Sequence, residues 1–244
     1  MNSVHFMIDT IDGVINACKL MTLHAKVLAV DIEGTQLNRN GIVSIITISM
    51  EISGIVMVYI FDIISLGRNA FNNGLKNLFE NQHITKLFYD ARSDFDALYH
   101  QFNISAVAIF DVQIAFMELD EHKKKKHVMG LAKAIDLFPM VQNDLKNNML
   151  ELKNKIHLSF INSNCDIFEQ RPLSAELIEY ACSDVIWLHA MHRNYCHQLN
   201  SRNISQNQII NSSIVRIMYS CNRKVYGTNS NGEKINMSER DWCL

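Results

Sequence analysis

Apolar positions follow two different periods along the chain. Up to about residue 111 they come in short β-branched runs broken by Gly, Asn and Asp, and beyond it they recur at helical spacing. The run VHFMI predicts a short first strand. A helix follows, with an imperfect stripe of Ile11, Val14, Ile15, Cys18, Leu20 and Met21. KVLAVDIEGT (26–35), IVSIITISM (42–50) and IVMVYIFD (55–62) are three apolar runs separated by turns at LNRNG and Ser53-Gly54, which predicts an antiparallel meander. Phe71, Leu75, Leu78 and Phe79 then mark a helix. TKLFYD (85–90) reads as a strand, SDFDALYHQF (93–102) as a helix and AVAIFD (106–111) as another strand. From residue 112 the pattern is helical, ending in the long stretch AELIEYACSDVIWLHAMHRNYCHQL. The prediction is an α/β fold: a mixed five-stranded sheet, made of a three-strand meander plus two βα-linked strands, flanked by helices, with a helical C-terminal half. No internal repeat is visible.

Length and composition narrow this picture. A chain of 244 residues, 48% hydrophobic and 20% charged, suits one domain or a little more and can bury a sizeable core. The boundary is expected near residue 200. Residues 201–244 form a polar, Asn- and Ser-rich extension in which VRIMYS can pack as a helix and the stretch after Tyr226 is expected to be mobile. Lys and Arg number 23 against 25 Asp and Glu, a net charge of −2, so there is no general basic coat; nucleic acid would have to be held by a local site. The six cysteines, at 18, 165, 182, 196, 221 and 243, form no C-x-x-C pair and read as reduced, intracellular thiols. No apolar run is long enough to span a bilayer, and MNSVHFMIDTIDG has neither a basic leader nor an apolar signal core. The expectation is a protein of the cytoplasm or nucleus, neither secreted nor membrane-bound.

The candidate chemistry lies in the acids. Asp31 and Glu33 sit at i and i+2 near the end of an apolar strand, so their carboxylates share one face. Two like charges in a half-buried site repel, and a divalent cation relieves that cost; hard oxygen ligands favour Mg²⁺ or Mn²⁺. Tyr180 and Asp184 lie at i and i+4 on the long late helix, on one face and roughly 6 Å apart along its axis. Between these, Asp90, Asp94 and Asp96 are alternatives for a further acid. Asp94 falls in the first turn of a helix, where the macrodipole favours a negative charge, and Asp96 lies about 200° further round. Each motif alone is equally compatible with solvated or capping side chains.

Their order makes them specific. The D-x-E on the first meander strand, the Asp entering a helix after the fourth strand and the late Y-x-x-x-D resemble the DEDDy branch of the DnaQ-like 3′–5′ exonucleases, over roughly residues 3–198. The Egalitarian-like group is the nearer resemblance. It rests on Val30-Asp31-Ile32-Glu33-Gly34, Leu37-x-Arg39-x-Gly41, the run Lys86 to Asp94 with Leu98-Tyr99-His100-Gln101-Phe102, Phe110-Asp111-Val112-Gln113-Ile114-Ala115 and Arg171-Pro172-Leu173. The resemblance implies a ribonuclease H-like fold and assigns the middle acid to Asp94, with Asp90 structural.

The implied activity is hydrolysis of single-stranded nucleic acid, RNA ahead of DNA, from the 3′ end to nucleoside 5′-monophosphates. Asp31, Glu33, Asp94 and Asp184 would hold two Mg²⁺ or Mn²⁺ ions about 4 Å apart, and Tyr180 would position or help deprotonate the attacking water. Gly34, Thr35, Arg92 and Arg171 are candidate substrate contacts. A second reading is an RNA-binding adaptor that keeps the fold and does little or no catalysis. Outside this set, the run Glu121 to His127, with Lys123 to Lys126, is either a phosphate-guiding flap or a solvated loop. His189 and His192 have the spacing of a metal pair but lack a third ligand.

Overall fold

A computed structural model describes residues 2–120, 127–139, 143–162, 167–228, 232–235 and 237. Its strands are β1 (Asn2–Ile8), β2 (Val27–Glu33), β3 (Ile45–Ile52), β4 (Ile55–Asp62), β5 (Thr85–Phe88) and β6 (Ile109–Asp111). The helices are α1 (Ile11–His24), the short α2 (Ile63–Leu66), α3 (Arg68–Ala70) and α4 (Lys76–Phe79), then α5 (Arg92–Phe102), α6 (Val112–Leu119), α7 (Leu131–Leu137), α8 (Asn143–Asn162), α9 (Ala175–Ser201) and α10 (Gln206–Cys221). The sheet runs β1-β4-β3-β2-β5-β6. β2, β3 and β4 form the expected antiparallel meander, and β5 and β6 add in parallel beyond β2.

The sheet has six strands rather than five. VHFMI does not stand alone: it pairs in parallel with β4, Asn2 opposite Ile55 through Ile8 opposite Phe61. Its partner was not legible because α1 and two strands intervene in sequence. The helix expected around Phe71 to Phe79 is a broken series of turns, interrupted where Gly74 takes φ 145° against Cys18.

Alternation along β2 orients the site. Leu28, Val30 and Ile32 point into one core layer, with Val14 and Met21 of α1, Phe61, Phe79 and Phe95. Ala29 points into the other, with Val58, Ile60, Phe110, Leu177, Val185 and Leu188. Asp31 and Glu33 continue the Ala29 face, and that face is crossed by α9, which packs on β2, β3 and β4. Ser174 starts α9 by accepting the Leu177 N–H at 3.2 Å, so the register of the helix is set one turn and a half before Tyr180. At the far edge, α10 opens on a capping box of Ser205 and Gln208 and packs against α5 and β6. No described helix is long and apolar enough to cross a membrane.

Candidate active site

Three carboxylates meet where β2 ends under α9. One oxygen each from Asp31, Glu33 and Asp184 lies within 4.8 Å of the other two. Asp31 sits opposite Thr47 of β3, and its Oδ2 is buried without a hydrogen-bond partner among the described residues. A buried carboxylate oxygen left in this state is costly unless a cation takes it up. Burial pushes the Asp31 carboxyl well above the ordinary range, and the charges of Glu33, Asp184 and Asp94 push it further. Asp184 is also raised by burial, against the pull of Lys153.

Asp94 enters from a different direction. It lies in the first turn of α5, is 7% exposed and stands outside the 4.8 Å trio, but close enough to raise Asp31. Burial, with Asp90 and Asp111 behind it, raises Asp94 to about 7. Asp96 faces away, as two positions along a helix require, and is fully buried against Arg39. Tyr180 packs against Phe168, with 6.0 Å between ring centroids, and its hydroxyl is held protonated by burial and by the carboxylates of Glu33 and Asp184.

The acids open into a cleft of about 470 Å³, lined also by Lys153 and Asn154 of α8, by Tyr89, Asp90 and Gln113, and by the start of α7. Sequence reasoning missed Lys153. Its ammonium pairs with Asp184 and sits 4.5 Å from the centroid of the Tyr180 ring. Nothing local sets it apart: Lys146 reaches the carbonyl of Asp136, Lys155 pairs with exposed Glu176, and only the packing of α8 on α9 selects Lys153.

The candidate substrate contacts are committed elsewhere. A Cβ at Gly34 would stand 1.9 Å from the carbonyl oxygen of Ile42, so the glycine serves a close backbone approach. The Thr35 hydroxyl meets the carboxylate of Glu169. Arg92 pairs with Asp90 at 2.6 and 2.7 Å. Arg171 grips Asp62 twice at 2.6 Å and also donates to the carbonyls of Phe168, Gln170 and Ser44. None of the four lines the cleft. His189 lies 3.0 Å from the Ser49 hydroxyl, and His192 packs edge-on against Phe110, so both are core residues. The lysines of the Lys123 to Lys126 run lie outside the described residues.

A family model described as 3′-5′ exonuclease matches residues 6–200. The piRNA biogenesis protein EXD1 of Mus musculus is 35% identical over 109 residues, which are 45% of this chain and 18% of that protein. Its namesake in Bombyx mori is 25% identical over 135 residues, 54% of this chain and 39% of that one. The matched parts thus span well under half the length of these relatives. Among solved structures, the RNase D of Trypanosoma brucei in complex with GMP superposes with a TM-score of 0.79 at 20% identity, covering 98% of this chain and 70% of that one. The RNase D of Escherichia coli gives 0.61 at 17% identity, covering 82% and 46%. At such identities the likeness is one of fold, and the fold is ribonuclease H-like.

Proposed function

The chain belongs to the 3′–5′ exonuclease family, and on that premise we propose that it is a two-metal-ion nuclease that removes nucleoside 5′-monophosphates from the 3′ end of single-stranded RNA, in preference to DNA. The observation that carries this is the convergence of Asp31, Glu33 and Asp184 oxygens within 4.8 Å, with one Asp31 oxygen buried and unpartnered. That donor set, all hard oxygen, fits Mg²⁺ or Mn²⁺. Asp31, Glu33, Asp94 and Asp184 would hold the ions, whose chemistry is to neutralise charge on the phosphodiester and make water a better nucleophile.

The chain supplies the positioning. β2 and α9 fix Asp31, Glu33 and Asp184 on two rigid elements, so the site is organised before substrate arrives. Tyr180, kept as a phenol beside Asp184, can donate its O–H and orient the attacking water. Gly34, Thr35, Arg92 and Arg171, each engaged by other protein groups and outside the cleft lining, would support the framework around the site rather than grip phosphate directly. A preference for RNA is supported by a Trypanosoma brucei RNase D of the same fold that was solved with RNA U12. Work in the cytoplasm or nucleus is supported by the free thiols of Cys18, Cys182, Cys196 and Cys221.

The second reading, an RNA-binding adaptor with a silent site, is favoured by one observation: Lys153 already neutralises Asp184. The two separate in one assay. Oligonucleotides of RNA and DNA, labelled at the 3′ or the 5′ end, are incubated with Mg²⁺, Mn²⁺ or EDTA. The nuclease reading expects mononucleotides released stepwise from a free 3′ end, abolished by EDTA and lost in Asp31→Asn. RNA binding with no hydrolysis in any metal would leave the adaptor reading standing.

A further inference from the structure

The turn that delivers Asp94 carries the Asp90–Arg92 pair within it and is tied to the rest of the fold by Asp111. Helix α5 begins after Ala91 with no side-chain cap, and the residue before Ala91, Asp90, sits at φ 64°, a left-handed conformation that is uncommon outside glycine. What holds the turn is the carboxylate of Asp111. Its Oδ1 accepts the N–H of Asp90 at 2.9 Å and that of Gln113 at 2.9 Å, and its Oδ2 accepts the N–H of Ala91 at 3.2 Å. Asp111 is 1% exposed, so its charge needs a fixed counter-charge.

That counter-charge comes from α10, beyond the span matched by the family model. Arg216 Nη1 lies 3.1 Å from Asp111 Oδ2, while Nη2 lies 2.6 Å from Gln113 Oε1 and 3.2 Å from Asp90 Oδ1. One turn earlier, the Ser213 hydroxyl accepts the N–H of Asp111 at 2.9 Å and donates to the carbonyl of Ile209. Arg216 and Ser213 are both buried. The fork of one guanidinium therefore clamps the carboxylate that holds the turn, the side chain of the turn's own left-handed residue, and the glutamine that lines the cleft.

We infer that Arg216, assisted by Ser213, is a positioning residue for Asp94, and that α10 is part of the catalytic unit although it lies outside residues 6–200. The inference rests on the proposed two-metal reading. It makes an asymmetric claim: Asp31, Glu33 and Asp184 sit on β2 and α9, whereas the fork's partners Asp90, Asp111 and Gln113 lie at the starts of α5 and α6, so loss of the fork would weaken the ion that Asp94 would help to hold more than the other.

The full chain, its Arg216→Lys and Ser213→Ala variants and Arg216→Met are titrated with Mn²⁺ by calorimetry, and each is melted without metal. Arg216→Lys retains the charge but cannot span Asp111, Asp90 and Gln113 together. It is expected to bind one Mn²⁺ as the parent does and the other about 10–100-fold more weakly, the usual cost of removing a partner that orients a metal ligand. In the RNA assay kcat falls by a larger factor than KM rises, since Asp94 would serve the reaction whereas the fork's partners Asp90 and Gln113 are only part of the cleft lining. Arg216→Met follows the same pattern more severely. The inference is overturned if Arg216→Lys and Ser213→Ala keep both parental Mn²⁺ affinities, if they weaken both sites equally, or if Arg216→Lys does not fold, since either of the latter outcomes marks a general structural role. A parent that binds two Mn²⁺ and degrades nothing would sink the proposed activity but leave this titration decisive. A parent that binds none would overturn both.

Discussion

The ammonium of Lys153 lies against the carboxylate of Asp184 and over the ring of Tyr180, 4.5 Å from its centroid. A lysine thus stands among the acids where a cation is required. The pair is nearly dry, with side-chain exposures of 12% and 5%. Removing one partner of such a pair leaves the other charge buried alone, which typically costs about 3–5 kcal/mol. Lys153→Met should therefore lower the metal-free stability by an amount of that order, seen as a drop in urea midpoint. It should also enlarge the rise in melting temperature produced by Mn²⁺, because no side chain then competes for Asp184. A variant whose response to Mn²⁺ matches that of the parent would mean that lysine and metal do not compete.

Asp31→Asn should separate chemistry from stability. The substitution keeps size and removes one charge from a carboxyl group that burial and three neighbouring acids already disfavour as an anion. Without metal, the fold should be as stable as the parent or more so. Hydrolysis of RNA should fall by several orders of magnitude, since Asp31 would be one of the acids that hold the ions. Tyr180→Phe keeps the ring against Phe168 and loses only the hydroxyl, so a smaller loss, roughly 10²–10⁴-fold in kcat, is expected. If Asp31→Asn and the parent degrade RNA equally, the observed nuclease is a contaminant.

The pH dependence of the metal-free fold should carry the signature of Asp94. Its carboxyl titrates near 7 in the folded chain and in the ordinary carboxylate range, about 4, when unfolded. Between those values the folded state holds the extra proton, so this group's contribution falls as pH rises from about 4 to about 7 and is level above. Buried His189, lowered to about 4, acts with the opposite sign in much of that window, because there the unfolded chain binds the extra proton. The contrast is therefore between parent and Asp94→Asn in EDTA. The variant should be the more stable of the two at pH 8, and the gap should close as pH falls toward 5. A gap that is constant from pH 5 to 8 would exclude the raised titration.

Arg39 is expected to matter to stability far more than its place in a surface turn suggests. Its guanidinium meets Asp96 Oδ1 at 2.6 Å, and its backbone N–H meets Oδ2 at 2.7 Å. It also donates to the carbonyls of Cys221 at 3.2 Å and Arg223 at 2.5 Å, where α10 ends. Arg39→Met removes the guanidinium from a fully buried carboxylate and from the carbonyl of Arg223, a loss of about 3–5 kcal/mol, while the carbonyl of Cys221 keeps His100 Nε2 at 3.0 Å. Hydrogen exchange should show α10 losing protection before the meander does. Uniform exchange across the chain would contradict the role given to Arg39.

These residues mark how far the sequence could be read. The meander was legible because period-2 runs and Gly-bearing turns are local, and Asp31 with Glu33 or Tyr180 with Asp184 needed only strand and helix geometry to share a face. Arg39 and Gly41 were visible as a motif, but not their purpose. Arg39 works through residues 57 and 184 positions away, and Gly41 leaves room for the carbonyls of Thr35 and Gln36. Lys153 was hidden among chemically equivalent lysines. Arg171 was visible before the long helix, yet its partner Asp62 lies 109 residues earlier. What eluded the sequence was pairing over distance, which composition and periodicity do not encode.

The bond between Arg216 and Asp111 closes a loop of 105 residues. Closures of that span come late in folding, after local contacts have formed. On a ribosome, β2 emerges with its acids when most of the chain is still to be made, and neither α9 nor α10 yet exists to complete the cleft. The nascent chain therefore carries its carboxylates as solvated side chains, without the geometry that brings them together. In the proposed reading the site stays unassembled until α10, the last of the described helices, has been made.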